Sequence, residues 1–125
     1  MLFDTDVIIW ALRGNARAAA AVDGADSLEL SIVSYMELVR GARDKRELHS
    51  TKTALANLDF QMLPLSENIG HRASVYLEEY ALKSNLGIPD ALIAATAVER
   101  AQPLCTANAK DYRAIAEVEL RSFRP

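Results

Sequence analysis

Apolar and polar positions along the chain fall into short segments with two different periods. Residues 1–3 are apolar and read as a short buried strand. Residues 7–12 open a helix that Gly14 and Asn15 stop. The Ala-rich run 16–22 is a good helix former and ends at Asp23-Gly24. Residues 28–33 alternate and then run apolar, as a strand would. Ser34 opens a helix with Met36, Leu38 and Val39 among its apolar positions, and segment 48–58 continues helically through Leu48, Leu55 and Leu58. The apolar run 60–65 is cut by Pro64, which suits an edge strand. Ser66-Glu67 starts a long helix over 68–84, stopped near Asn85 and Gly87. Pro89 fits the first position of the next helix, 90–100. Residues 104–106 form a strand, 109–115 a helical turn and 119–123 a final strand.

Strands alternating with helical segments predict an α/β fold, with a small, mostly parallel sheet flanked by helices. The 125 residues suit one domain, 1–125, with room for one sizeable core. No repeat, low-complexity tract or linker interrupts it. In such sheets the functional crevice lies beyond the carboxyl ends of the strands.

Composition changes this picture little. Half the residues are apolar and a quarter charged, ordinary for a globular chain. No apolar run approaches a membrane span, and no basic start precedes a long apolar stretch, so neither membrane nor secretory signal is expected. The lone cysteine, Cys105, rules out an internal disulfide and points to a reducing compartment; the expected location is the cytoplasm. The net charge of −3 gives no general attraction to nucleic acid. Nucleic-acid chemistry would need a local basic patch or a bridging metal.

Acidic residues recur where strands hand over to helices. Asp4 follows the first strand, Glu37 lies one turn into the helix after the second, Asp90 is in the first turn of the Pro89 helix, and Asp111 follows strand 104–106. In a doubly wound sheet these positions converge on one edge. Carboxylates sharing a pocket repel, each raising the others' pKa, and a hard divalent cation removes that repulsion. Oxygen ligands suit Mg²⁺ or Mn²⁺. Such an ion polarises a phosphoryl oxygen and activates a water, and two ions roughly 3.5–4 Å apart clamp the attacking and leaving oxygens. The expected chemistry is metal-dependent phosphodiester hydrolysis. Each acid also has a plain structural reading: Ser34-x-x-Glu37 is a capping-box pattern, Asp90 and Asp6 suit helix N-termini, and Asp111 suits a turn. Their joint placement favours the site.

These residues resemble the motifs of PIN-domain nucleases. Leu2-Phe3-Asp4-Thr5-Asp6-Val7-Ile8-Ile9 is similar to the family's opening, residues 31–38 to its second motif, Ile88-Pro89-Asp90-Ala91-Leu92-Ile93-Ala94-Ala95 to its third, and residues 104–112 to its fourth. Length and gaps most resemble the VapC toxins of toxin–antitoxin pairs. The resemblance implies a three-layer sandwich and Mg²⁺- or Mn²⁺-dependent RNA cleavage. It implies that Asp4 and Asp90 are metal ligands and that Glu37 binds directly or through water. Thr5, Ser34 and Thr106 would orient carboxylates or waters, with Asp6 as a supporting acid. The family's fourth acid often sits at position 108, where this chain has Asn108. Either Asn108 offers a carbonyl ligand or Asp111 substitutes, and one or two ions remain open. The resemblance further implies a homodimer and a VapB-like antitoxin that inserts a basic residue into the acidic pocket. Trp10 is a candidate surface for that partner, with Ile8 and Ile9 read as core.

Arg40, Arg43, Lys45 and Arg46, with Lys52 beyond, are the one basic stretch that would track an RNA backbone. Asp44 and Glu47 would pair with it on a solvated helix face. Two other readings stand beside the nuclease. Asp4-Thr5-Asp6 also resembles the opening of haloacid-dehalogenase phosphatases, but no matching downstream lysine follows. A PIN-like module with weak catalysis, acting through an antitoxin and DNA complex, is the second.

Overall fold

Leu2 and Phe3 form β1 (Leu2–Phe3), and both side chains are fully buried, one on each side of a five-stranded sheet. A computed structural model describes residues 1–125. After β1 come α1 (Thr5–Leu12), α2 (Ala16–Asp23), β2 (Glu29–Ser31), α3 (Ile32–Gly41), α4 (Lys45–Asn57) and β3 (Gln61–Leu63). Then follow α5 (Glu67–Tyr80), α6 (Ile88–Glu99), β4 (Leu104–Thr106), α7 (Ala109–Tyr112) and β5 (Leu120–Ser122). The strand order is β3-β2-β1-β4-β5 and every pairing is parallel. The expected edge strand at 60–65 is β3, with exposed Gln61 and Met62.

Period-two alternation divides the core. Leu2 and Leu104 face one apolar cluster with Ile69, Ala73, Tyr76, Ile93 and Ala94, from α5 and α6. Phe3, Leu30 and Cys105 face the other, with Val7, Ile8, Ala18 and Leu55, from α1, α2 and α4. Helices therefore cover both faces, which is why the strands read as continuous apolar runs. Helix α6 buries four alanines among its six fully buried residues, and their small side chains let it lie close to the sheet and α5.

The chain builds β1, β2 and β3 outward on one side, then returns to β1 and continues through β4 to β5 on the other. Strand order thus reverses between β1 and β4, and the carboxyl ends of these two strands open a crevice. Leu2 registers with Leu104 and Phe3 with Cys105, and Asp4 N–H donates to Cys105 O at 2.8 Å. Asp4 and Thr106 are thereby brought level.

Several element ends differ from the sequence reading. Strand 28–33 stops at Ser31, whose Oγ accepts from Val33 N–H at 3.0 Å and caps α3, so Ile32 and Val33 are helical. Ser34 therefore lies inside the helix, and no Ser34–Glu37 capping box forms. Helix α4 begins earlier than expected, at Lys45, because Asp44 Oδ1 accepts from Glu47 N–H at 2.8 Å. The long helix ends at Tyr80 rather than 84, and the turn 109–115 contracts to four helical residues. Trp10 is only half-exposed and packs against the second cluster beside buried Ile8, so the expected surface there is smaller than its composition promises.

Candidate active site

Asp4 is the hinge between β1 and α1. Its backbone is extended (φ −67°, ψ 155°) and its Oδ1 accepts from Thr5 N–H at 2.9 Å, capping α1. Only 6% of the residue is exposed. Its Oδ2 accepts from Thr106 Oγ1 at 2.8 Å and lies 3.0 Å from Tyr112 Oη. Burial, and secondarily the charge of Asp6, push its carboxyl up to about 6, while the Thr106, Tyr112 and Thr5 donors oppose that rise.

Asp90 arrives from the opposite wall. Its Oδ2 accepts from Gly87 N–H at 3.1 Å, closing the N-terminus of α6 behind Pro89. Its Oδ1 lies 3.3 Å from Tyr112 Oη. The helix-start reading of Asp90 is therefore correct for one oxygen and leaves the other for the crevice. Asp6, in the first turn of α1, accepts from Ala107 N–H at 3.2 Å and from Asn108 Nδ2 at 2.8 Å, and burial raises its pKa. Asn108 N–H in turn donates to Thr106 Oγ1 at 3.0 Å. Glu37 is exposed, and its Oε1 accepts from Thr5 Oγ1 at 2.7 Å.

The structure thus links Asp4, Thr5, Thr106, Tyr112 and Asp90 by hydrogen bonds, and ties Asp6 to Asn108 and Glu37 to Thr5. It does not link two residues expected from the sequence. Half-buried Asp111 joins none of these hydrogen bonds. Ser34 is buried and its Oγ has no partner at all. Tyr112 carried no expected role beyond its place in the stretch 104–112. It is core, yet its hydroxyl faces two carboxylates.

None of Asp4, Asp6, Asp90 and Glu37 is paired with a lysine, arginine or histidine; the ion pairs all lie elsewhere, such as Arg43–Glu47 and Arg72–Glu99. Burying unpaired carboxylates is costly. No three acidic side chains close into a ready-made cage for a metal ion. The donors that are present are all oxygens, two carboxylates clasp one phenol, and the buried one carries uncompensated charge. That set fits a hard, largely hydrated cation held by one or two carboxylates, the mode Mg²⁺ favours.

Beside Glu37 opens a groove of about 770 Å³ between α1, α3 and α4. Arg13, Arg43, Ser50 and Thr51 line it along with Leu12 and Leu38. Arg43 is held there by Glu47 at 2.8 Å, whereas Arg40, Lys45 and Arg46 project into solvent with no ion-pair partner. Of the basic stretch expected from the sequence, Arg43 lines the groove, and Arg13, which follows α1, lines it too.

Strand order, the acids at its reversal point and the groove together define a PIN-type fold, and the PIN domain family model matches residues 1–118. The chain belongs to the PIN domain family, whose members are generally nucleases. A toxin–antitoxin complex from Klebsiella pneumoniae contains a chain 31% identical to this one, covering 94% of this chain and 93% of that one with a TM-score of 0.79. VapBC-1 from nontypeable Haemophilus influenzae is 23% identical over 97% and 96% of the two chains, with a TM-score of 0.80. VapBC2 from Rickettsia felis, bound to a promoter DNA fragment, is 16% identical over 98% of each, with a TM-score of 0.81. The latter two share the fold. Comparison with curated protein sequences gave no significant match. No helix is long and apolar enough to cross a membrane.

Proposed function

We propose that this chain is a Mg²⁺- or Mn²⁺-dependent endoribonuclease and the toxin of a VapBC-type pair. The carrying observation is Asp4: a buried carboxylate with no lysine, arginine or histidine beside it, at the point where strand order reverses. Asp4 and Asp90 would hold the ion, and Glu37 would join directly or through water. Bound there, it would polarise a phosphoryl oxygen and lower the pKa of a water.

The chain's own residues do the rest. Thr106 and Thr5 N–H hold the Asp4 carboxylate in one orientation. Thr5 Oγ1 fixes one oxygen of Glu37, leaving the other to accept a proton from a water at the mouth of the groove. Asp6 anchors the turn after β4 through Ala107 and Asn108 and adds negative charge. It is a better fourth acid than Asp111, which stands apart. Arg13 and Arg43 lead an RNA backbone along the groove toward Glu37, with Arg40, Lys45 and Arg46 on its outer rim.

An acidic pocket without a cationic partner also attracts an inserted Arg or Lys, which supports a VapB-like antitoxin as inhibitor. Met36 and Ile88, 56% and 66% exposed on the mutually packed α3 and α6, are apolar surface that a second copy of the chain would cover. The cytoplasm, which holds RNA and keeps Cys105 reduced, is the proposed location.

The test is cleavage of a panel of tRNA and ribosomal RNA fragments by antitoxin-free protein with Mg²⁺, Mn²⁺ or EDTA, and with Asp90→Asn as control. Metal-dependent cuts at defined sites, lost in the variant, support the reading. Asn108, uncharged where the family often has an acid, favours a second reading: a weak nuclease acting as a binding module in an antitoxin and DNA complex. Folded, metal-bound protein that leaves the whole panel intact would favour it.

A further inference from the structure

Tyr112 is completely buried, packed in the apolar cluster with Leu2, Ile93 and Leu104. A buried phenol needs a partner for its hydroxyl. Here the partners are Asp4 Oδ2 at 3.0 Å and Asp90 Oδ1 at 3.3 Å. No other side chain hydrogen-bonds to both carboxylates. Asp4 hangs from the end of β1 and Asp90 from the first turn of α6, so their separation is not set by any shared backbone hydrogen bond.

A phenol has one proton and can donate to one of these oxygens at a time. Its other contact sets oxygen lone pairs against a carboxylate. The hydroxyl therefore sits between both groups while satisfying only one of them, and it leaves that point short of positive charge. The remaining donors reinforce the arrangement: Thr106 and Thr5 N–H fix Asp4, and Gly87 N–H fixes the far oxygen of Asp90. Asp4 Oδ2 is shared by Thr106 and Tyr112, whereas Asp90 Oδ1 has Tyr112 as its one hydrogen-bond partner.

We propose that Tyr112 is a positioning residue, whose hydroxyl sets the spacing of Asp4 and Asp90 and prearranges them for a divalent cation. The inference rests on the metal-dependent reading of the site. Hydrogen-bond partners of metal-ligating carboxylates typically change metal affinity by roughly 10–100-fold when removed. Tyr112→Phe deletes one oxygen and keeps the buried ring.

The experiment is calorimetric titration of metal-free protein with Mn²⁺, wild type against Tyr112→Phe, with circular dichroism to monitor the fold. Expected is a folded variant that binds Mn²⁺ about tenfold more weakly. In RNA cleavage its half-saturating Mn²⁺ concentration rises by about the same factor, while kcat at saturating Mn²⁺ stays near wild type. A merely structural hydroxyl would lower thermal stability and leave Mn²⁺ affinity unchanged, which overturns the proposal. So does a variant that binds Mn²⁺ more tightly, or one that does not fold. Wild-type protein that binds no Mn²⁺ overturns the metal reading itself, and this proposal with it. Wild type that binds and a Phe variant that binds equally well overturn this proposal alone.

Discussion

Replacing Asp4 by asparagine should destroy the site and stabilise the metal-free protein. Burial is the main reason that the carboxyl is pushed from an ordinary 3.8 up to about 6 in the fold. The folded state therefore holds this proton more tightly than the unfolded one. Stability is fullest below about pH 4, falls as pH rises toward about 6, and stays reduced above it. That difference in proton affinity amounts to about 3 kcal/mol at pH 8. An amide keeps the geometry. Its oxygen accepts from Thr5 N–H, its nitrogen donates to Thr106 Oγ1, and Tyr112 is released to donate to Asp90. Loss of the Asp4 charge also relaxes Asp6, which has the same sign. Asp4→Asn should then exceed wild type by about 3 kcal/mol at pH 8 and by close to nothing at pH 4, a gain in Tm near 10 °C at the higher pH. Thermal and urea denaturation in EDTA at both pH values measure this, and the difference between the two proteins isolates the one carboxyl. Added Mn²⁺ should raise the Tm of wild type at pH 8 and leave the variant unmoved. A variant that is less stable than wild type at pH 8, or a difference that does not change with pH, would refute the reasoning.

Thr106→Val removes a hydroxyl donor from a buried carboxylate and should cost about 1–3 kcal/mol at pH 8, with a smaller loss at pH 4, read from urea midpoints. Ser34→Ala removes a buried hydroxyl that has no partner, so stability should hold or rise by about 1 kcal/mol; a clear drop in the midpoint would show that the hydroxyl is bonded after all. Arg43→Ala breaks only a solvent-exposed pair with Glu47. Its melting temperature should match wild type, while RNA binding weakens and the slope of log affinity against log salt falls by about 1. An unchanged salt slope would remove the groove from the RNA path.

The order of strands and helices was legible in the sequence because each element carries its own local signal. Apolar runs of strand length, Pro89 at a helix start and Gly-containing stops are all short-range patterns. The candidate acids were legible for a related reason: Asp4, Glu37 and Asp90 interrupt apolar segments at the junctions that a parallel sheet must bring to one edge. Ser34 misled because two serines three residues apart, Ser31 and Ser34, both suit a cap. The geometry of the β2–α3 handover selects the first.

What the chain determined by itself is which groups are acidic, which are apolar and in what order they come. The tertiary structure alone decided which oxygens meet. Asp4 accepts from Thr106 and Tyr112 across more than a hundred residues, and Asp6 reaches Asn108 over a similar span. No periodicity encodes such contacts, because they depend on how β1 registers with β4 and where α7 docks. Tyr112 shows the consequence: its ring is an ordinary apolar choice for a core, and only the packed fold puts its hydroxyl between two carboxylates.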